Sequence, residues 1–232
     1  RDRIQRMHAF TPESTLVTSG VSGGLLLGFQ CLINPGDEVL VPDPYFTMYK
    51  VLVELCGGKM VCYDTYPDFG LDTERIRPLV TDRTKAILVN SPSNPTGVVY
   101  PRKAIEGLAA LAREHDLVVI SDEIYDMFVY DEPYSSVASC YEKTLLISGF
   151  TKAYGMPGWR VGFMCGNRDL VAALARIKSY LDYGTFTPIQ VAAIAALEGS
   201  QQCVREIAER YQSRRDVLCE GLTSAGWRIE KP

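Results

Sequence analysis

Short apolar runs alternate along this chain with longer stretches in which apolar residues recur every three or four positions. The short runs cover residues 15–19, 38–42, 59–63, 85–90, 117–121, 144–147 and 161–165. Their lengths and the turn residues that bound them predict strands buried on both faces. Helical spacing covers residues 23–33, 45–55, 72–79, 102–115, 169–179 and 188–198, with a longer helix over 201–225 that stops at Gly226. Pro35-Gly36-Asp37, Gly57-Gly58 and Pro67-Asp68 punctuate the pattern as turns. Strand and helix alternation of this kind predicts an α/β fold, a mostly parallel seven-stranded sheet with helices on both faces. Residues 1–11 read as the end of a helix and residues 227–230 as the start of another strand, which predicts a piece of a longer protein.

The polar segments are not scattered. Gly20 to Gly24 follows the first expected strand, Asp43-Pro44-Tyr45-Phe46 the second, and Asn90 to Gly97 the fourth. Asp122-Glu123-Ile124-Tyr125 follows the fifth and Ser148 to Lys152 the sixth. Ligands of open α/β sheets bind beyond the carboxyl ends of the strands, so five such segments on one edge predict a site there.

Its chemistry is suggested by S-G-F-T-K-A-Y-G-M-P-G-W-R-V-G, Ser148 to Gly162. A lysine at the end of a buried strand is expected to be desolvated, which favours the neutral, nucleophilic amine. Such an amine condenses with aldehydes. Arg160 supplies a fixed cation suited to a phosphate, and the pair points to pyridoxal 5′-phosphate. That cofactor asks for backbone N–H groups at a helix start, which the turn at Val21 and Ser22 would offer. It also asks for a carboxylate facing its ring nitrogen (Asp122), donors to its phenolic oxygen (Tyr125 and Asn94) and an aromatic cover (Phe46 or Tyr45).

Composition narrows the alternatives. A chain of 232 residues with 47% hydrophobic and 22% charged residues can bury a large core. The net charge of -4, with both signs interspersed, gives no support for nucleic-acid binding, and no apolar stretch is long enough to span a bilayer. Seven scattered cysteines without a C-x-x-C pair predict reduced thiols in a cytoplasmic protein. With only His8 and His115, a histidine-rich metal site is out of reach.

The lysine segment, N-P-T-G (Asn94 to Gly97) and S-D-E-I-Y (Ser121 to Tyr125), in that spacing, resemble the class I/II aminotransferases among the fold-type I pyridoxal-phosphate enzymes. The resemblance runs from about residue 15 to residue 232. It implies that Lys152 binds the cofactor's aldehyde carbon, Asp122 pairs with the ring nitrogen, and Tyr125 and Asn94 bind the phenolic oxygen. It further implies that Arg160, Ser22 and the Val21 amide hold the phosphate while Phe46 stacks on the ring. Lys152, Asp122 and Tyr125 would then be the catalytic residues. Residues 1–211 would form the cofactor-binding large domain, and 212–232 the start of a small domain mostly missing here. The small domain carries the family's substrate-carboxylate arginine. The expected reaction moves an amino group from an L-amino acid to a 2-oxo acid such as 2-oxoglutarate, in a homodimer. Residues 175–205 look like alanine (glutamate–pyruvate) transaminases, whereas the N-terminal part looks more like aspartate or broad-range members. One departure stands out: the family often has a serine three positions before the lysine, and here that position is Gly149, so Ser148 or Thr151 would have to compensate.

Gly20-Val21-Ser22-Gly23-Gly24 satisfies the G-x-S-x-G of a hydrolase nucleophile, but its only downstream histidine, His115, precedes its strand. A β-lyase or synthase on the same fold would share the lysine and the carboxylate. A non-catalytic, cofactor-binding fragment is the remaining alternative.

Overall fold

Seven short runs pair into one sheet, six of them largely buried and the edge run at residues 59–64 burying only Tyr63, and the alternation of side chains assigns the two faces. The computed structural model describes residues 10–131 and 133–232; most of the helix expected over residues 1–11 lies outside them. The strands are β1 (Thr15–Thr18), β2 (Glu38–Asp43), β3 (Lys59–Asp64), β4 (Thr84–Asn90), β5 (Val118–Asp122), β6 (Thr144–Gly149) and β7 (Gly162–Gly166). Their order is β1-β7-β6-β5-β4-β2-β3. β2 to β6 run parallel, and β7 is antiparallel to both β1 and β6. The mostly parallel seven-stranded sheet is therefore as expected.

Helices α1 (Gly20–Leu32), α2 (Met48–Leu55) and α5 (Arg168–Leu181) cover one face; α4 (Arg102–Glu114), with the short α3 (Thr73–Ile76), covers the other. Val39, Val41, Ala86, Leu88 and Ile120 enter the first core, while the intervening Leu40, Ile87, Val89 and Val119 enter the second. That is the period of two a pleated strand imposes. In α4, Ile105, Leu108, Ala109 and Ala112 form the buried stripe, each large side chain contributing roughly 1.5–3 kcal/mol. α5 starts where the Asn167 side chain accepts from the Asp169 and Leu170 amides at 3.0 and 3.1 Å. α6 (Thr187–Glu198) and α7 (Gln202–Ser224) follow, the latter running unbroken through residue 211. No described helix is long and apolar enough to cross a membrane.

Four expectations are corrected: the helix expected from residue 45 begins at Met48, the one expected over 72–79 is α-helical only over Thr73–Ile76 before a 3-10 turn, and two further differences concern the first helix and the last strand. α1 begins at Gly20, so Val21 and Ser22 lie inside its first turn instead of in a preceding loop. The strand expected over residues 227–230 does not form: among the described residues the sheet ends at β1 and β3, neither of which pairs with this segment, and an alternating segment needs a strand edge to pair with.

Candidate active site

The first N–H groups of any helix lack intrahelical partners and carry its positive dipole end. In α1 these belong to Gly20, Val21 and Ser22, and the last two line a cavity of about 220 Å³ at the carboxyl ends of β4, β5 and β6. Arg160 lines the same cavity, and its guanidinium lies against the helix start: a methyl group added at Gly20 would meet Nη2 at 2.7 Å. Gly20 (φ 70°) and Arg160 (φ 49°) both occupy the left-handed region. Glycine does so freely, but for arginine the conformation is strained and must be held by its surroundings. Gly162 permits the approach, since a Cβ there would sit 2.8 Å from the Gly20 carbonyl carbon and 3.0 Å from the Val21 nitrogen. A guanidinium beside a positive helix end repels it unless an anion lies between them.

The opposite end of the cavity is built on β4 and β5. Asn90 and Asp122 are register partners on these strands, so their side chains lie side by side on the face covered by α1 and α2. Tyr49 of α2 reaches across and donates its hydroxyl to Asp122 Oδ2 at 2.8 Å, while the Ile124 amide donates to Oδ1 at 3.2 Å. Burial pushes the Asp122 carboxyl up to about 6, against the pull of those two donors. Burial and the nearby Asp122 charge raise Tyr49 well above the ordinary phenol range, so it remains a donor. Asn90 donates Nδ2 to the Asp122 carbonyl at 2.9 Å and accepts the Asn94 amide on Oδ1 at 2.6 Å. It thereby joins the N-P-T-G turn to the end of β5. Asn94, Tyr125 and Phe46 also line the cavity, with Phe46 edge-on to Tyr49 at 5.6 Å between ring centroids. Of the two candidate stacking residues Phe46 faces the site; Tyr45 packs beside the first core instead. Tyr125 lies in a run of hydrogen-bonded turns, with the Asp126 amide donating to Glu123 and the Phe128 amide to Tyr125.

All eight residues expected in the site, Val21, Ser22, Phe46, Asn94, Asp122, Tyr125, Lys152 and Arg160, line this one cavity. The expected burial of Lys152, however, is corrected. β6 ends at Gly149, and the lysine sits beyond it in an exposed turn, with its Nζ 5.2 Å from the Tyr125 ring centroid. The buried strand end does not extend to it, and its stem carries the ammonium over the aromatic face. At Gly149, where the departure falls, a Cβ would sit tightly, 3.1 Å from both Gly162 Cα and the Val161 carbonyl oxygen. Of the two candidate substitutes for the missing serine, Thr151 lines the cavity and Ser148 does not; Ser148 donates to the Glu123 carbonyl instead, at 3.1 Å. The hydrolase alternative fails in space as in sequence: His115 caps the C-terminus of α4, at the other end of β5, and the Ser22 hydroxyl points to Met48 Sδ at 3.5 Å.

Tyr49 and Asn90 escaped the reading of the sequence. Tyr49 had one available signal, its place one helical turn after Phe46; Asn90 ends an apolar run in the manner of Asp122. A larger cavity of about 410 Å³ lies between the β1–β7 edge and α5–α6, and its lining includes none of the expected site residues.

A cationic cradle, a buried carboxylate, an aromatic wall and an amine around one cavity fit pyridoxal 5′-phosphate. The cradle suits its phosphate and Asp122 a protonated ring nitrogen, with Lys152 available to its aldehyde.

Comparisons with known proteins agree. The aspartate/prephenate aminotransferase of Thermus thermophilus is 43% identical over 228 residues, covering 96% of this chain and 59% of that protein. The glutamate-pyruvate aminotransferase AlaC of Escherichia coli is 42% identical, covering 95% and 55% respectively. The chain therefore spans somewhat over half the length of these relatives. Among solved structures, a single mutant of the Thermus thermophilus aspartate aminotransferase superposes with a TM-score of 0.93 at 41% identity, over the whole of this chain and 63% of the other. The aromatic aminotransferase of Pyrococcus horikoshii OT3 gives a TM-score of 0.94 at 34% identity, over 64% of its length. Residues 2–232 match the family described as aminotransferase class I and II, and to that family the chain belongs.

Proposed function

We propose that the full-length protein transfers an amino group from an L-amino acid to a 2-oxo acid, with pyridoxal 5′-phosphate bound in the cavity at the ends of β4, β5 and β6. The observation that carries this reading is Asp122. Its buried carboxylate is held on both oxygens by donors and shares the cavity with the other seven expected residues, with no lysine or arginine paired to it among the described residues. When bound, the cofactor supplies an aldehyde for amino groups and a ring that withdraws electrons from the substrate's Cα. The chain's own residues do the rest. Val21 and Ser22 amides, the Ser22 and Thr151 hydroxyls and Arg160 bind the phosphate. Asp122 holds a proton on the ring nitrogen, while Tyr125 and Asn94 donate to the phenolic oxygen and Phe46 covers the ring. Lys152 Nζ would hold the aldehyde carbon between turnovers and, once displaced from it by the substrate's amino group, would be free to move the Cα proton as general base and then general acid.

Small neutral amino acids, with 2-oxoglutarate as acceptor, are the proposed substrates, from the likeness of residues 175–205 to glutamate–pyruvate transaminases. Residues 1–211 are assigned to the cofactor-binding large domain and 212–232 to the start of a small one. The working unit is taken as a cytoplasmic homodimer, in keeping with the exposed Tyr180, Tyr183, Phe186 and Val191 around α5 and α6.

Reduction of the full-length holoprotein with borohydride, followed by mass spectrometry, tests the site. The modified residue should be Lys152, and a label elsewhere would overturn the assignment. Incubation with L-alanine and 2-oxoglutarate should yield glutamate. Release of ammonia without glutamate would instead indicate elimination chemistry.

A further inference from the structure

We infer that α7 positions the cavity's tyrosine: Tyr211 and Arg215 hold the segment Tyr125–Asp131 in place, although neither lines the cavity. The inference rests on the reading above for what Tyr125 does there. After the Glu123 amide, which donates to the Ile147 carbonyl, residues 124–131 form turns and irregular backbone, in which the Asp126 amide donates to the Glu123 carbonyl and the Phe128 amide to the Tyr125 carbonyl. Turns of this kind leave the Tyr125 ring to be fixed by whatever covers the segment.

Asp126 and Met127 line a small pocket with Phe150 and Tyr154, and Lys152 stands over the Tyr125 ring, while one face of α7 covers the rings of Phe128 and Tyr130. Phe128 stands edge-on to Tyr125, with ring centroids 6.3 Å apart at 67°, and edge-on to Tyr211 at 5.4 Å and 85°. One turn along α7, on the same face, Arg215 lies over the Tyr130 ring with Cζ 4.7 Å from its centroid. Its Nη1 donates to Asp131 Oδ2 at 2.6 Å and to the Pro232 carbonyl at 2.8 Å. Pro232 in turn rests against the N-P-T-G turn, where a methyl group added at Gly97 would meet its Cβ at 2.9 Å. Arg215 thus joins the two loops that carry Tyr125 and Asn94, the residues assigned to the phenolic oxygen. Its side chain is 11% exposed, so the planar guanidinium is ordered by these contacts and not by solvent. Aromatic edge contacts and a stacked, ion-paired arginine both demand a particular ring geometry, beyond simple apolar cover.

The test uses full-length protein carrying Arg215→Met, Arg215→Lys, Tyr211→Leu or Tyr211→Phe, read in two ways. In cofactor-free protein, amide hydrogen exchange over residues 125–131 should quicken roughly tenfold in Arg215→Met and Tyr211→Leu. It should stay near wild type in Tyr211→Phe, which keeps the ring, with Arg215→Lys between. In protein loaded with pyridoxal 5′-phosphate, the pH midpoint of the visible absorbance should rise by about one unit in the first two variants. The direction follows because a phenolic oxygen that loses its Tyr125 donor becomes a better acceptor for the neighbouring imine proton. Unchanged exchange overturns the proposal, and so does faster exchange with an unmoved midpoint, which would make α7 structural cover only. Should wild-type protein hold no chromophore on Lys152, the cofactor reading falls, and the exchange arm alone decides whether the segment is clamped. If the Arg215 variants do not fold, the Tyr211 pair, on a half-exposed ring, decides it.

Discussion

Burial sets how Asp122 behaves as an acid, and two donors limit the effect. Desolvation raises its carboxyl to about 6, and the Tyr49 hydroxyl and Ile124 amide pull the other way. Replacing Tyr49 by Phe removes one donor without opening a cavity, so the carboxyl should rise further. The acid limb of the kcat–pH profile of the full-length enzyme should then move to higher pH. At neutral pH kcat should fall about tenfold, the order expected for losing a hydrogen bond to a charged group. An unmoved limb would mean that Tyr49 is only a core aromatic. Asn90 makes a second prediction at this scale. Asn90→Ala strands the Asn94 amide and leaves the Asp122 carbonyl with only the Ser91 amide, and should weaken pyridoxal 5′-phosphate binding about tenfold, as measured by absorbance titration. Seven of the eight residues proposed for the site were legible because each ends or follows an apolar run; Arg160, which precedes β7, was legible from its place in the lysine segment. Tyr49 and Asn90 were not, since a tyrosine on a helix and an asparagine at a strand end have many ordinary explanations.

Elements meet at the anion end through glycine. α1 and β7 approach so closely at Gly20 and Gly162 that any side chain at 162 would press on the helix's first peptide. Gly162→Ala should therefore push the start of α1 away, a strain of about 1–3 kcal/mol. Because the displaced N–H groups face the phosphate, affinity for pyridoxal 5′-phosphate should drop tenfold or more by order of magnitude, with affinity for pyridoxal nearly unchanged. Equal losses for both ligands would show that the helix start does not serve the phosphate. Most elements were legible from periodicity: all seven strands, and α4, α5, α6 and α7 within a residue or two. The expected strand over residues 227–230 shows the limit of that method. Its alternating pattern suits a strand, but pattern cannot supply an edge, and neither β1 nor β3, where the described sheet ends, pairs with it.

Across the whole molecule, the buried carboxyls of Asp122 and Glu123 and the partly buried Asp126 stand close in sequence at the end of β5. Burial raises Asp122 to about 6 and Glu123 and Asp126 to about 7. Each holds its proton longer folded than unfolded. The stability this contributes is complete below the unfolded values, about pH 4, and is lost as pH rises through roughly 6 to 7. Cofactor-free full-length protein should accordingly be weaker at pH 8 than at pH 5, by on the order of a few kcal/mol. Glu123→Gln should flatten that dependence, because a carboxamide oxygen can still accept from the Ser121 and Ser136 hydroxyls, now at 2.8 and 2.6 Å. Urea midpoints at the two pH values check it; an identical slope in the variant would remove Glu123 from the account.

The order of strands and helices, the edge of the sheet that carries polar segments, and the identity of lysine, carboxylate, arginine and anion-binding turn were all written in local pattern. Periodicity and position after a strand are properties of neighbouring residues, so they survive in one dimension. Tertiary structure alone decided that Tyr49 meets Asp122 across 73 positions, that Arg160 lies against Gly20, that Lys152 stands exposed, and that α7 reaches back to the segment beyond Tyr125. Those contacts depend on which face of which element is covered by another, and that is determined only when the whole core packs at once.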